Sequence, residues 1–236
     1  MKIKRYIASA LACVFCCAVL TSTAAAHVGD FYITKYIERD TANFVLKVYE
    51  KKLPNDNDND NVFTNSNVYS YYTEWNNISS KVKLSMAFAG GGMPTILNQL
   101  CVYESDLGGE RTEDEYGNVT ISITGGKTYF YDREGKRVNP EWFDFISTQI
   151  MINNGDVALE LYKNDNYGIA AARKAFLHEV GHALLLSHPI NGNLPGHSIS
   201  GYPKSVMNQG YPVEHNYIST TITDHDKSNL IAKWEA

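Results

Sequence analysis

Apolar and polar positions follow two rhythms along this chain, and the changes of rhythm mark most of its elements. Val68, Tyr71, Tyr72, Trp75 and Ile78 recur every three to four residues, a helical stripe. Lys81 to Met86 then alternates polar with apolar, which predicts a strand, before Gly90-Gly91-Gly92-Met93-Pro94 breaks the pattern. Leu100 to Tyr103 offers another short strand, and the acidic, Gly-containing residues 104–118 read as a surface loop. The clearest β pattern sets Val119, Ile121 and Ile123 against Thr120, Ser122 and Thr124; Gly125-Gly126 and the run Lys127 to Tyr131 complete a predicted hairpin. Trp142 to Ile152 is apolar, and its Gln149–Ile152 end is expected to be a strand. A long helix follows from about Asn166 to about Leu184, with Ile169, Ala172, Phe176, Val180 and Leu184 on one side and Ala171, Ala175, His178 and His182 on the other. Apolar over much of its circumference, it belongs inside the domain. Thr223-x-x-Asp226 resembles a capping box opening a last helix, with Leu230, Ile231 and Trp234 facing inward.

The first 61 residues read differently. A basic start (Met1-Lys2-Ile3-Lys4-Arg5), an apolar run from Tyr6 to Leu20 and a small-residue end at Ala24-Ala25-Ala26 make residues 1–26 a secretory signal peptide, cut after Ala26. Residues 27–61 form an N-terminal segment and polar linker. Its two apolar stretches, Phe31 to Ile37 and Phe44 to Tyr49, suit an opening strand pair or a short pro-segment, and Pro54 to Asn61 reads as a solvated linker. The aspartates of that linker invite a calcium-loop reading, but an EF-hand wants Gly at its sixth position and Glu at its twelfth, where Asn61 and Asn67 stand. Residues 62–236 are the expected main domain.

Composition narrows the function. An apolar fraction of 44% in 236 residues suits one large domain or two small ones with a proper core. Cleavage after Ala26 removes Lys2, Lys4 and Arg5 and no acid, moving the formal charge from −5 to −8. An acidic, secreted, monomeric protein with no nucleic-acid partner and no membrane attachment after cleavage is the expectation. Three of the four cysteines leave with the signal, so Cys101 has no internal disulfide partner and reads as a buried thiol.

The chemistry concentrates in His178-Glu179-Val180-Gly181-His182 and His188, an H-E-x-x-H motif with a third histidine six positions on. Residues four apart share a helix face, so His178 and His182 can aim at one metal ion, Zn²⁺ by ligand type. Glu179 stands beside them as the general base for a zinc-activated water. His188 cannot be delivered by the same straight helix, so the helix must end between it and His182. His197, His215 and Glu214 are the reserve third ligands.

Together with Ser205-Val206-Met207 and the Asp-containing terminal helix, this motif resembles the metzincin zinc endopeptidases, in particular the matrixin-like secreted members. The resemblance implies an α+β, metzincin-like fold: a mixed twisted sheet, a long active-site helix, a Met-turn with Met207 beneath the metal, and a C-terminal helix. It implies a protein or peptide substrate lying extended along an edge strand, hydrolysed through water activated by a His₃-held zinc. Tyr211 becomes a candidate oxyanion or substrate contact, against the alternative of an ordinary packed tyrosine. Asp106, Glu110 and Asp114 become candidates for structural Ca²⁺, against an exposed acidic loop. One position departs from the family pattern: Leu185 stands where it has Gly. A left-handed leucine costs on the order of 1–2 kcal/mol, which a zinc site worth about 10 kcal/mol in folding can absorb. Two alternatives remain open, a zinc peptidase of another clan with a different third ligand and a non-proteolytic secreted zinc-binding or adhesion module.

Overall fold

The computed structural model of the chain describes residues 30–32, 42–49, 65–89, 100–163, 165–189, 203–210 and 218–235. The signal peptide, the Asp56–Asp60 run, the glycine break at residues 90–92, and Tyr211, His197, His215 and Glu214 lie outside these residues. The described elements are β1 (Ala42–Tyr49), α1 (Asn65–Thr73), β2 (Val82–Ala89), β3 (Leu100–Ser105), β4 (Gly109–Glu113), β5 (Val119–Ile123), β6 (Gly126–Tyr131), β7 (Arg137–Val138), β8 (Ser147–Asn153), α2 (Asp156–Tyr162), α3 (Asp165–Ala183) and α4 (Asp224–Glu235).

Six strands form one mixed sheet in the order β2-β1-β3-β8-β6-β7, and β4 with β5 forms a separate two-stranded sheet. Strands β2, β1, β3 and β8 are parallel, while β6 runs antiparallel to β8 and β7 antiparallel to β6. Strand β1, from the N-terminal segment, is paired along both edges, so it is a structural member of the sheet.

The helical stripe behaves as its period requires: Val68, Tyr71, Tyr72 and Trp75 are all buried. Helix α3 is also buried along Ala171, Ala172, Phe176, Leu177 and Val180, but Ile169 stays exposed near its start. In α4 Leu230 and Trp234 point inward as expected, and Ile231 faces solvent. The capping box is present, with Thr223 N and Oγ1 both donating to Asp226 Oδ2 at 2.8 Å.

Strand pairing departs from expectation. Residues 109–113, read as loop, are β4, and β5 pairs with β4 instead of turning back through Gly125-Gly126 onto β6. The turn lies one step earlier, where Asp114 Oδ1 accepts the Tyr116 and Asn118 amides and Gly117 takes φ 82°. Gly126 instead opens β6 beside β8. The metzincin-like fold class is accordingly corrected. The described chain is a β-rich fold of two sheets and four helices, whose strand partners were set by non-local pairing that the alternation pattern does not encode.

A buried acid lies away from the site. Glu104, on β3, is 3% exposed; its Oε2 accepts Asn154 Nδ2 at 3.1 Å and its Oε1 has no hydrogen-bond partner among the described residues. Burial pushes its carboxyl up to about 8, against the lowering effect of Asn154. A carboxyl raised on folding contributes stability that is full below its unfolded value near 4.5 and lost as pH rises through about 8. Glu104→Gln is therefore expected to be more stable than wild type at pH 8.5, by on the order of 2 kcal/mol. Urea unfolding at pH 5 and pH 8.5 checks this; an equal stability difference at both values would contradict it.

Candidate metal centre

Helix α3 carries His178 and His182 one turn apart, and the chain then reverses so that His188 returns to the same point. The reversal is a Schellman closure: Leu186 N–H donates to Gly181 O at 3.0 Å and Leu185 N–H to His182 O at 2.8 Å. Leu185 supplies the left-handed residue, with φ 74°. The turn therefore sits at the position where the family pattern has Gly. It is held from outside as well, since Tyr32 N–H donates to Leu185 O at 2.8 Å, Ser187 N–H to Asp30 O at 3.0 Å and Trp234 Nε1–H to Leu184 O at 2.9 Å.

The three Nε2 atoms of His178, His182 and His188 lie 3.0–3.1 Å from one another. The far side of two rings explains their state. His178 Nδ1–H donates to Val206 O at 3.0 Å and His182 Nδ1–H to Leu186 O at 2.9 Å, and a carbonyl can only accept. In the neutral ring this leaves Nε2 as a bare lone pair. Lone pairs facing at this distance repel unless a cation lies between them. A tetrahedral zinc with Zn–N bonds of about 2.0–2.1 Å spaces its nitrogens roughly 3.3 Å apart, so the donor set fits that ion. Among the described residues this is the group of three such side chains that converges. Burial first, with a contribution from the Lys174 charge, depresses all three imidazoles: His182 to about 3, His188 to about 4, His178 well below its ordinary value.

Glu179 lies beside the cluster, 6% exposed. Thr128 Oγ1 donates to its Oε2 at 2.7 Å, and Gly126, two residues earlier on the same face of β6, leaves room for its stem: a Cβ there would stand 2.5 Å from Glu179 Cγ. Burial pushes the Glu179 carboxyl up to about 7, opposed by the Thr128 hydroxyl and the Lys174 charge.

Met207 is buried under the helix, and a Cβ at Gly181 would overlap its Sδ. The strip that carries it is fixed by α4: Asp226 accepts Ser205 Oγ and, at 3.1 Å, the Val206 amide, while Met207 N–H donates to Ser205 Oγ at 2.8 Å. The carbonyl that orients His178 thus belongs to a strip anchored by the first turn of the last helix.

Thr128, Gly126 and Val206 were not singled out by sequence. Thr128 and Gly126 sat in a predicted hairpin whose partner was wrong, and a backbone carbonyl has no sequence signature. Asp226 is legible in the sequence as a helix cap and as part of the Asp-containing terminal helix, but its hold on the Ser205–Met207 strip is not. Cys101 is buried, its thiol facing Thr148 O at 3.9 Å. Asp114 spends its carboxylate on its own turn, and Asp106 Oδ1 accepts the Gly108 amide at 2.8 Å; with Glu110 they form no common ligand group.

A cavity of about 310 Å³ opens beside the histidines, between the start of β6 and α3, lined among others by Gly126, Lys174, Ala175, His178, Glu179 and Gln209. The outer edge of β6 is paired to β7 only at Phe130 and Tyr131, which leaves Gly126 to Tyr129 without a described strand partner on that side.

Comparison with known proteins assigns no family. No family model matches the chain, and no curated protein matches it. Among solved structures it is similar to a chain of the GM1 bound form of the ECX AB5 holotoxin, at TM-score 0.45 and 12% identity over 81% of this chain and 80% of that one. With no family model and no curated protein matching the chain, the metzincin, matrixin-like assignment is corrected, and the chain stands on its own geometry without that family name.

Proposed function

We propose that this chain is a secreted zinc-dependent endopeptidase, acting on protein or peptide substrates. The observation that carries the reading is the convergence of three histidine Nε2 atoms at 3.0–3.1 Å with a buried carboxylate, Glu179, alongside. A zinc ion held there would supply a Lewis acid that polarises a carbonyl and acidifies water. The protein's own groups do the rest. Val206 O and Leu186 O hold two of the rings with their lone pairs inward. Thr128 anchors one carboxylate oxygen of Glu179 and leaves the other to take a proton from water and pass it to the departing nitrogen. The stretch of β6 that has no strand partner among the described residues offers backbone groups to an extended peptide.

Metal analysis of the purified mature chain is expected to find about one zinc per molecule. Hydrolysis of a denatured protein substrate is expected to stop on chelation and return on adding zinc. His188→Ala is expected to weaken zinc binding at least about tenfold. A chain that holds no zinc, or that cleaves equally well after chelation, would end this reading.

A further inference from the structure

Two of the three ligand rings are oriented by backbone carbonyls, Val206 O behind His178 and Leu186 O behind His182. For His188, the group at hydrogen-bond distance from Nδ1 among the described residues is a side chain, the amide of Gln209, with its nitrogen at 3.5 Å. An amide can offer a ring either N–H or oxygen, and its two ends are alike in size, so the ring's own proton decides which end faces it. His188 Nε2 lies 3.1 Å from His178 Nε2 and 3.0 Å from His182 Nε2, so it must present a lone pair to hold an ion there. A neutral imidazole has one N–H, which is then on Nδ1. An amide N–H aimed at that proton repels it, whereas Oε1 accepts it. Zinc binding therefore demands that the Gln209 amide be turned with its oxygen towards His188. The backbone that presents this amide is held on both sides. Asp226 ties down Ser205 and Val206, Asn208 Nδ2 donates to Pro203 O at 2.9 Å, and Gly210 turns the chain away with φ 87°. Val206 and Gln209 thus stand on one anchored strip that reaches two of the three ligands.

We propose that Gln209 is a positioning residue of the metal centre: its side-chain oxygen accepts the Nδ1 proton of His188 and keeps the third ligand turned with its lone pair inward. The inference rests on the zinc-holding part of the reading above and not on peptide hydrolysis. An acceptor behind a ligand histidine fixes the ring and raises its basicity, and losing one weakens metal binding roughly ten- to hundredfold. Gln209 is exposed and its contact is long, so water takes over part of the role when it is removed, and the lower end of that range applies.

Wild type is compared with Gln209→Met, which keeps the length and loses the acceptor, and with Gln209→Glu, which keeps an acceptor. Zinc affinity, measured by competition with a chelator at one neutral pH, is expected to fall about tenfold in Gln209→Met and to be at least that of wild type in Gln209→Glu. The glutamate also adds charge, so proton NMR of the zinc-loaded chains separates orientation from charge. The His188 Nδ1 proton is expected to exchange with water faster in Gln209→Met than in wild type, and no faster in Gln209→Glu. Urea unfolding of the zinc-free chains is expected to be the same for all three, because the side chain is exposed. Zinc held as tightly by Gln209→Met as by wild type, equal proton exchange in the two, or an affinity loss matched by a loss of zinc-free stability would overturn the inference and leave the zinc reading standing. A wild-type chain that binds no zinc would overturn both.

Discussion

Glu179→Gln is expected to lower peptide-bond hydrolysis about 10³-fold while leaving zinc fully bound. General-base catalysis by a positioned carboxylate contributes on the order of 10²–10⁴, and this one is 6% exposed beside the three ligands. The amide is nearly the same size, and its oxygen can still accept the Thr128 hydroxyl that donates at 2.7 Å in the wild type. What is lost is basicity, since an amide oxygen does not take a proton from water near neutral pH. Glu179 is not one of the three converging ligands, so the metal content should not change. Steady-state rates on a denatured protein, paired with metal analysis of the same samples, decide the matter. Unchanged turnover would remove Glu179 from the mechanism. Turnover lost together with zinc would make it a structural support of the metal site instead.

How far the site was legible in the sequence follows from how local each feature is. His178 and His182 share a face because they are four apart on one helix, and Trp75 and Phe176 are buried because their stripes are helical; spacing alone specifies both. The capping box at Thr223 and Asp226 is likewise a four-residue pattern, local enough for spacing to specify it. Strand partners are another matter. Val119 to Ile123 alternates clearly, yet alternation says only that a strand has two faces. Whether it pairs with residues 109–113 or 126–131 depends on which turn closes, and the chain has turn signals on both sides. The error reached the site, because Thr128 and Gly126 shape the pocket of Glu179 only when β6 lies beside β8 and against α3. Ile231 and Ile169 differ from expectation for simpler reasons: Ile231 lies outside the arc of Asn229, Leu230 and Trp234, and Ile169 lies on the apolar face but near the start of its helix, before the stretch that is buried, and period alone encodes neither.

Leu185 is expected to be both strained and indispensable, and two substitutions separate these properties. Its φ of 74° lies where an L-residue costs on the order of 1–2 kcal/mol, but its side chain is completely buried between equally buried Leu184 and Leu186. Removing a buried leucine side chain costs about 2–5 kcal/mol, so burial outweighs strain and the wild type should be the most stable of the three. Leu185→Ala keeps the left-handed strain and loses the packing, and is expected to destabilise by about 3–4 kcal/mol. Leu185→Gly loses the same packing and releases the strain, so it should be the more stable of the two variants by about 1 kcal/mol. Urea unfolding of all three at one fixed excess of zinc gives the order, because bound metal then contributes comparably to each. A glycine variant no more stable than the alanine one would mean that the reversal before His188 does not need a left-handed residue. A glycine variant more stable than wild type would mean that strain, and not burial, dominates at the turn that returns the third histidine to the metal.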